Sequence, residues 1–373
     1  MLIGADRVVT PARVLAPGWL LIDGERIAAV GSGDPPGPPD VALTGATVVP
    51  GFIDVHAHGG GGASFDGGDA DAVATAVRTH LSHGATSMIA SLVSADQATL
   101  LHSVRRLADL AEDGLLAGIH LEGPWLSARR AGAHDPSVLR DPAPAEVDAL
   151  IQAGRGHLRM VTLAPERPGG LETIRRLTAA GVVGAIGHTE ATYDQTCAAL
   201  DAGAGVGTHL FNAMPGLHHR APGPVAALLE HPDAYVELVA DGVHVHPAAL
   251  RLAARAKPHR TVLVTDAMAA AAAADGDYRL GRLEVRVRDG VARLAGGDTI
   301  AGSTLTMAAA VRYAVREVGL TIQDAVRAAT ASPAAMLSLP DVGALLPGYR
   351  ADAVVLEGDL SVRRVLSRGR WVG

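Results

Sequence analysis

Short hydrophobic runs recur through the middle of the chain, each followed by a polar or glycine-containing turn and then by an Ala/Leu/Arg stretch with helical spacing. Eight such runs stand out: Val48–Val55, Thr86–Val93, Leu115–Leu121, Leu158–Leu163, Val182–Gly187, Ala204–Thr208, Tyr235–Ala240 and Thr261–Thr265. A β-type run alternating with a helical stretch is the mark of βα units. Eight of them predict a parallel α/β fold, a TIM-type (β/α)8 barrel, whose functional groups gather at the C-terminal ends of the strands.

The flanks read differently. Trp19–Val30 alternates around Asp23-Gly24, a hairpin signal, and Ala351–Leu356 through Trp371 carries similar short strands. A barrel takes about 250 residues, so a chain of 373 has room for a second module. The expectation is a small β-sandwich-like domain built from residues 1–50 and 345–373, around a barrel at 51–344, with the Pro-rich segment Asp34–Pro39 as a turn. A further hairpin is predicted at Leu283–Arg288, Asp289-Gly290 and Val291–Leu294, placed by its position after the eighth run to act as a flap over the barrel mouth. The tract Ala269–Ala274 is expected to be a mobile segment.

Charge and cysteine content narrow the function. A net charge of −7 with no basic run argues against nucleic acid or an anionic membrane as partner. The single cysteine, Cys197, excludes an intrachain disulfide, and the start of the chain lacks the apolar segment of a secretory signal, so a cytoplasmic protein is expected. No Gly-x-Ser-x-Gly elbow is present. The Gly59–Gly62 run lacks the Lys-Ser/Thr ending of a phosphate loop, and close backbone approach is its better reading.

The chemistry lies at the strand ends. The first run closes on His56 and His58, which strand alternation turns to one side as a chelating pair. The third ends at Glu122, the fifth at His188, the sixth at His209, the seventh at Asp241 with His244 just beyond, and the eighth at Asp266. Glu122, His188 and His209 make a metal triad that leaves coordination positions open, while His56, His58 and Asp266, sharing Glu122, supply a second. One or two divalent metal ions are therefore expected as cofactors, from among zinc, iron, manganese and cobalt. Bound water acidified toward a pKa of about 7 suits attack on an amide or ester carbonyl, with Asp266 as the catalytic acid and base. A helix N-cap is the local alternative for Asp266. The only lysine, Lys257, precedes the eighth strand and is carried to the opposite rim, which leaves Glu122 as the candidate bridge between ions.

Taken together, Pro50–Gly59, His120–Leu126, Gly187–Thr189, Thr208–Pro215, Asp241–His244, Thr265–Met268 and Ala301–Met307 resemble the amidohydrolase superfamily and, within it, the N-acetylglucosamine-6-phosphate deacetylases. The resemblance spans the chain and is most specific in Glu122-Gly-Pro124 and His209-Leu-Phe-Asn-Ala-Met-Pro215. It implies hydrolysis of the acetamide of a phosphorylated amino sugar, with ligation by Glu122, His188 and His209 and acid/base work by Asp266. It also implies substrate-binding positions at Ala133, His134, Asn212, Ala213, Asp241, His244, Ile300, Ala301 and Gly302, with His134 near the scissile carbonyl and His244 near the phosphate. Arg220 matches an arginine that reaches the phosphate from the neighbouring subunit of a homodimer. Arg129 and Arg130 fall where the pattern departs from relatives and are read as exposed. The rivals are a dihydroorotase-like or acylamino-acid amidohydrolase and a non-catalytic barrel scaffold.

Overall fold

Eight parallel strands stand side by side in chain order in the computed structural model, which describes residues 1–373. They are β1 (Phe52–Ala57), β2 (Ala85–Leu92), β3 (Gly118–Glu122), β4 (Leu158–Leu163), β5 (Val183–Ile186), β6 (Ala204–Gly207), β7 (Tyr235–Val239) and β8 (Thr261–Val264). Each pairs in parallel with the next. The ring shuts just past the end of β8, where Ala57 and Ala267 form a parallel bridge, Asp266 N–H donates to His56 O at 2.8 Å and His58 N–H donates to Ala267 O at 2.7 Å. This is the expected (β/α)8 barrel.

Alternation explains how the strands serve two purposes. Ile119, Leu121, Val161, Leu163, Val236 and Leu238 face the surrounding helices in one apolar cluster, and burying each such side chain is worth about 1.5–3 kcal/mol. Their neighbours His120, Thr162 and Glu237 are buried as well, but each has polar contacts on another strand or strand end. The barrel thus carries an apolar outer layer and a polar upper interior.

Both termini meet in one eight-stranded sheet. Its order runs Arg370–Trp371, Val362–Ser367, Ala353–Leu356, Val41–Pro50, Leu2–Val9, Gly18–Asp23, Arg26–Ser32, with Val14–Leu15 against Leu2–Val9. The sheet curls over its own core of Ile3, Leu20, Ile27, Val48, Val355 and Leu366. Ile27 N–H to Tyr349 O and Ala351 N–H to Glu25 O tie the Arg26–Ser32 edge to the segment that leads into Ala353–Leu356.

Two expectations need correction. The run Val48–Val55 is not one strand: Val41–Pro50 belongs to the terminal sheet and β1 begins at Phe52, with Gly51 as the joint. Hydrophobicity continues across the joint because both sheets are buried there, so periodicity could not reveal the change of partner. The tract Ala269–Ala274 is not a free segment along its length, since Ala269, Ala270 and Ala271 are buried. Ala269 and Ala270 pack under an antiparallel sheet of Gly276–Leu280, Leu283–Arg288 and Val291–Leu294, through Leu280, Val285, Val287 and Ala292, while Ala271 joins the barrel's core.

Gly51 leaves no room for a side chain, because a Cβ there would sit 2.1 Å from Thr86 Oγ1 and 2.9 Å from Asp352 Cβ. Gly51→Ala is expected to destabilise the protein by about 1–3 kcal/mol, the usual cost of overpacking. Denaturant unfolding at wild-type stability would contradict this account of the joint.

Candidate functional site

Three of the strand-end residues hold backbone conformations that L-residues seldom adopt: φ is 47° at His188, 28° at His209 and 48° at Asp266. Each follows the last residues of a strand, and the left-handed turn swings its side chain over the barrel mouth instead of onward along the chain. Strain of this sort, about 1–3 kcal/mol per residue, persists where surrounding structure enforces it and gathers at functional sites. The enforcing contacts are visible for Asp266. Its N–H is held by His56 O and its carbonyl by Ser303 N–H at 2.7 Å, while the preceding Thr265 hydroxyl donates to buried Asp54 at 2.6 Å. The helix-cap alternative for Asp266 does not arise, as no helix begins there.

Glu122 is the centre of the cluster. Its Oε1 lies 3.0 Å from His188 Nε2 and 2.9 Å from His209 Nε2, and those two nitrogens are 3.1 Å apart. Its Oε2 lies 3.2 Å from His58, 3.6 Å from His56 and 3.3 Å from His134. Asp266 Oδ1 completes the other side, 3.3 Å from His58 Nε2 and 3.6 Å from His56 Nε2. All of these side chains are buried.

The donor set fits divalent cations. Nδ1 of His188 donates to Arg130 O at 2.7 Å and Nδ1 of His56 to Glu237 at 3.0 Å, which leaves lone pairs on the inward-facing Nε2 atoms of both neutral rings. Nε2 of His56 faces Nε2 of His58 at 3.3 Å, as His188 faces His209. Inward lone pairs beside the carboxylates of Glu122 and Asp266 repel unless a cation lies among them. His56, His58 and Asp266 form one group able to hold an ion; Glu122, His134 and His188 form another, with His209 Nε2 2.9 Å from Glu122 Oε1.

Without a cation, protons take up the same field. Burial opposes a charge on His56, but Glu237, Glu122 and Asp266 outweigh it and raise its pKa well above the ordinary imidazole value. For His58, burial is likewise overcome, by hydrogen bonds with Asp266 and Glu122, and the pKa reaches about 9. Burial works against ionised Glu122 and Asp266 too, yet the nearby imidazoles hold both carboxyls below their usual range. His134 moves the other way, to about 4, because burial prevails over Glu122. Its Nδ1 accepts the Ser94 N–H at 3.2 Å, so the neutral ring carries its proton on Nε2, which faces the cluster.

A cavity of about 310 Å³ opens over these groups. His58, Glu122, His134, His188, His209, His244 and Asp266 line it, with Ala133, Asn212, Ala213, Ile300 and Gly302. Leu280, Thr299 and Ile300 put the inserted sheet and the segment after it over the mouth, as a flap requires. Two expected contacts, Asp241 and Ala301, do not line the cavity, and neither does Arg220, which is expected to act at a neighbouring site. Asp241 accepts from the backbone of Val243 and His244 and from His244 Nδ1 at 2.6 Å, and so positions that ring. Ala301 is buried within the inserted sheet's core. Arg220 is exposed and contacts His219, away from its own chain's cavity. Arg129 is exposed, as expected, and Arg130 is half-buried; both lie at the rim and pair with Glu190. Lys257 donates to His231 O at the start of β8, consistent with its exclusion as a bridge.

Glu237 escaped notice in the sequence. The available signal was one carboxylate in the otherwise apolar run Tyr235-Val-Glu-Leu-Val239.

A parallel barrel with buried imidazoles and carboxylates meeting at its strand ends defines a hydrolase of the metal-binding barrel class. The chain belongs to the amidohydrolase family, whose model matches residues 47–372. It is 41% identical to the N-acetylgalactosamine-6-phosphate deacetylase of Escherichia coli O157:H7, covering 86% of both chains. It is 37% identical to the N-acetylglucosamine-6-phosphate deacetylase of Vibrio furnissii, over 89% of this chain and 84% of that one. Among solved structures, a mutant of N-acetyl-D-glucosamine-6-phosphate deacetylase from Mycobacterium smegmatis, in complex with N-acetyl-D-glucosamine-6-phosphate, superposes with a TM-score of 0.98 at 52% identity. That match covers 100% of this chain and 98% of the other. No helix is long and apolar enough to cross a membrane.

Thr265→Val keeps the shape at the barrel closure but leaves Asp54 short of its hydroxyl partner. A loss of about 1–3 kcal/mol is expected in chemical denaturation, and unchanged stability would remove Asp54 and Thr265 from the closure.

Proposed function

We propose that this protein removes the acetyl group of N-acetylglucosamine 6-phosphate by hydrolysis, giving glucosamine 6-phosphate and acetate. The observation that carries this reading is the convergence of Glu122, His188 and His209 within about hydrogen-bonding distance of one another, beside His56, His58 and Asp266. The relatives' named activities supply the substrate class. Two divalent ions are proposed, one that Glu122, His188 and His209 would hold and the other that His56, His58 and Asp266 would hold, with Glu122 facing both sets. An ion held there polarises the acyl oxygen and acidifies water.

The chain's own groups do the rest. Asp266, whose carboxylate lies beside His56 and His58, takes a proton from the attacking water as the new C–O bond forms. It returns that proton to the amide nitrogen as the C–N bond breaks, so the amine leaves neutral. His134, neutral with its proton on Nε2, donates to the acyl oxygen as negative charge builds there. Ala133, Asn212, Ala213, Ile300 and Gly302 form the walls that orient the sugar, and His244, held by Asp241, stands 3.9 Å from Asp266 on the same side. Arg220, exposed on its own subunit, is proposed to bind the phosphate of the neighbouring site in a homodimer, where its planar donors suit a dianion.

Asp266→Asn should retain bound metal and lose turnover by about 100-fold or more, as expected for loss of general acid/base catalysis; full activity would remove the acid/base role. Arg220→Ala should raise KM for the phosphorylated sugar with little change in kcat, and an unchanged KM would refute the phosphate contact. Assaying N-acetylglucosamine 6-phosphate, its galactosamine epimer and the unphosphorylated sugar decides the substrate. Preference for the epimer would move the assignment, and equal turnover without phosphate would overturn it.

A further inference from the structure

We infer that Glu237 is a positioning residue that aligns both halves of the metal cluster through one carboxylate oxygen. This rests on the proposed metal centre and adds a residue that touches neither ion nor substrate. Glu237 Oε2 lies 3.0 Å from His56 Nδ1 and 3.2 Å from the backbone N of His209. One oxygen therefore accepts from a member of each ion-binding group. The same residue's backbone carbonyl takes the Leu210 N–H at 2.8 Å, so the turn that carries His209 in its left-handed conformation is fastened to β7 at two points.

Glu237 is an expensive side chain to keep there. It is fully buried, its Oε1 has no hydrogen-bond partner, and no lysine or arginine pairs with it. An apolar residue like its strand neighbours Val236 and Leu238 would fill a strand position without the desolvation cost of a buried carboxyl group. What an apolar residue lacks is an acceptor. Glu237 is the only hydrogen-bond partner of His56 Nδ1, and accepting that proton puts the ring's lone pair on Nε2, toward Asp266 and Glu122. A carboxylate in this position also makes the imidazole a stronger donor to metal. His120 packs edge-on against the His56 ring, with centroids 4.6 Å apart, and keeps the ring from turning away.

The experiment compares zinc binding by the intact wild-type protein, Glu237→Gln and Glu237→Leu, using chelator competition for affinity and elemental analysis for stoichiometry. Gln preserves an acceptor but not the charge; Leu preserves bulk but neither. Zinc affinity should fall about 10-fold in Glu237→Gln and toward 100-fold in Glu237→Leu, the range for residues that orient metal ligands. The ion on His56, His58 and Asp266 should be lost first, and kcat should drop with KM for the phosphorylated sugar unchanged. Wild-type zinc affinity and count in Glu237→Gln would overturn the inference, even if Glu237→Leu fails to fold. Wild-type protein that holds a single zinc would reject the two-ion reading alone; Glu237 is then judged by the affinity of that one ion, on the same criterion.

Discussion

The arrangement depends on one buried carboxylate. Glu122 reaches His188 and His209 with one oxygen and His56, His58 and His134 with the other. These partners come from β1, β3, β5 and β6 or the turns beyond them, so the barrel must close correctly for any of the contacts to exist. A carboxylate among imidazoles, away from water, is stable only when positive charge is present, as protons or as metal. That electrostatic demand makes the barrel mouth a cation site before any substrate is considered.

Closure and chemistry share parts. The seam between β1 and β8 is held by Asp54 and Thr265 beneath the site and by the backbone of His56, His58, Asp266 and Ala267 within it. Residues that offer ligands with their side chains join the first strand to the last with their main chains. The left-handed turns at His188, His209 and Asp266 belong to the same economy: a short irregular turn directs a side chain inward, and neighbouring hydrogen bonds hold it there. Rigid placement suits a reaction in which water, acyl carbon and proton carrier must be aligned together.

Around this fixed centre the walls differ in construction. His188 is clamped by the Arg130 carbonyl and the Ser127 N–H, so the segment bearing Arg129 and Arg130 at the rim also orients the His188 ring. Across the mouth, the inserted sheet rests on Ala269 and Ala270 and brings Leu280 to the cavity. Asp241 serves the cavity at one remove by holding His244. The exposed Arg220 lies outside the cavity lining.

The eight βα units and the cluster's principal members were legible in the primary structure, because both are written in local pattern. Strands in a closed barrel are short apolar runs, and groups at their ends fall just after each run. His56, His58, Glu122, His188, His209 and Asp266 could be read off in that way, and the hairpin at Leu283–Leu294 announced itself through alternation and Asp289-Gly290. Other features depend on which segments become neighbours, and a linear pattern carries no such information. The division of Val48–Val55 between two sheets, the burial of Ala269–Ala271, the use of Asp241 to hold His244 and the reach of Glu237 from mid-strand to two histidines were decided by packing alone. Burial and hydrogen-bond partners are properties of distance in space, and chain order constrains those only weakly.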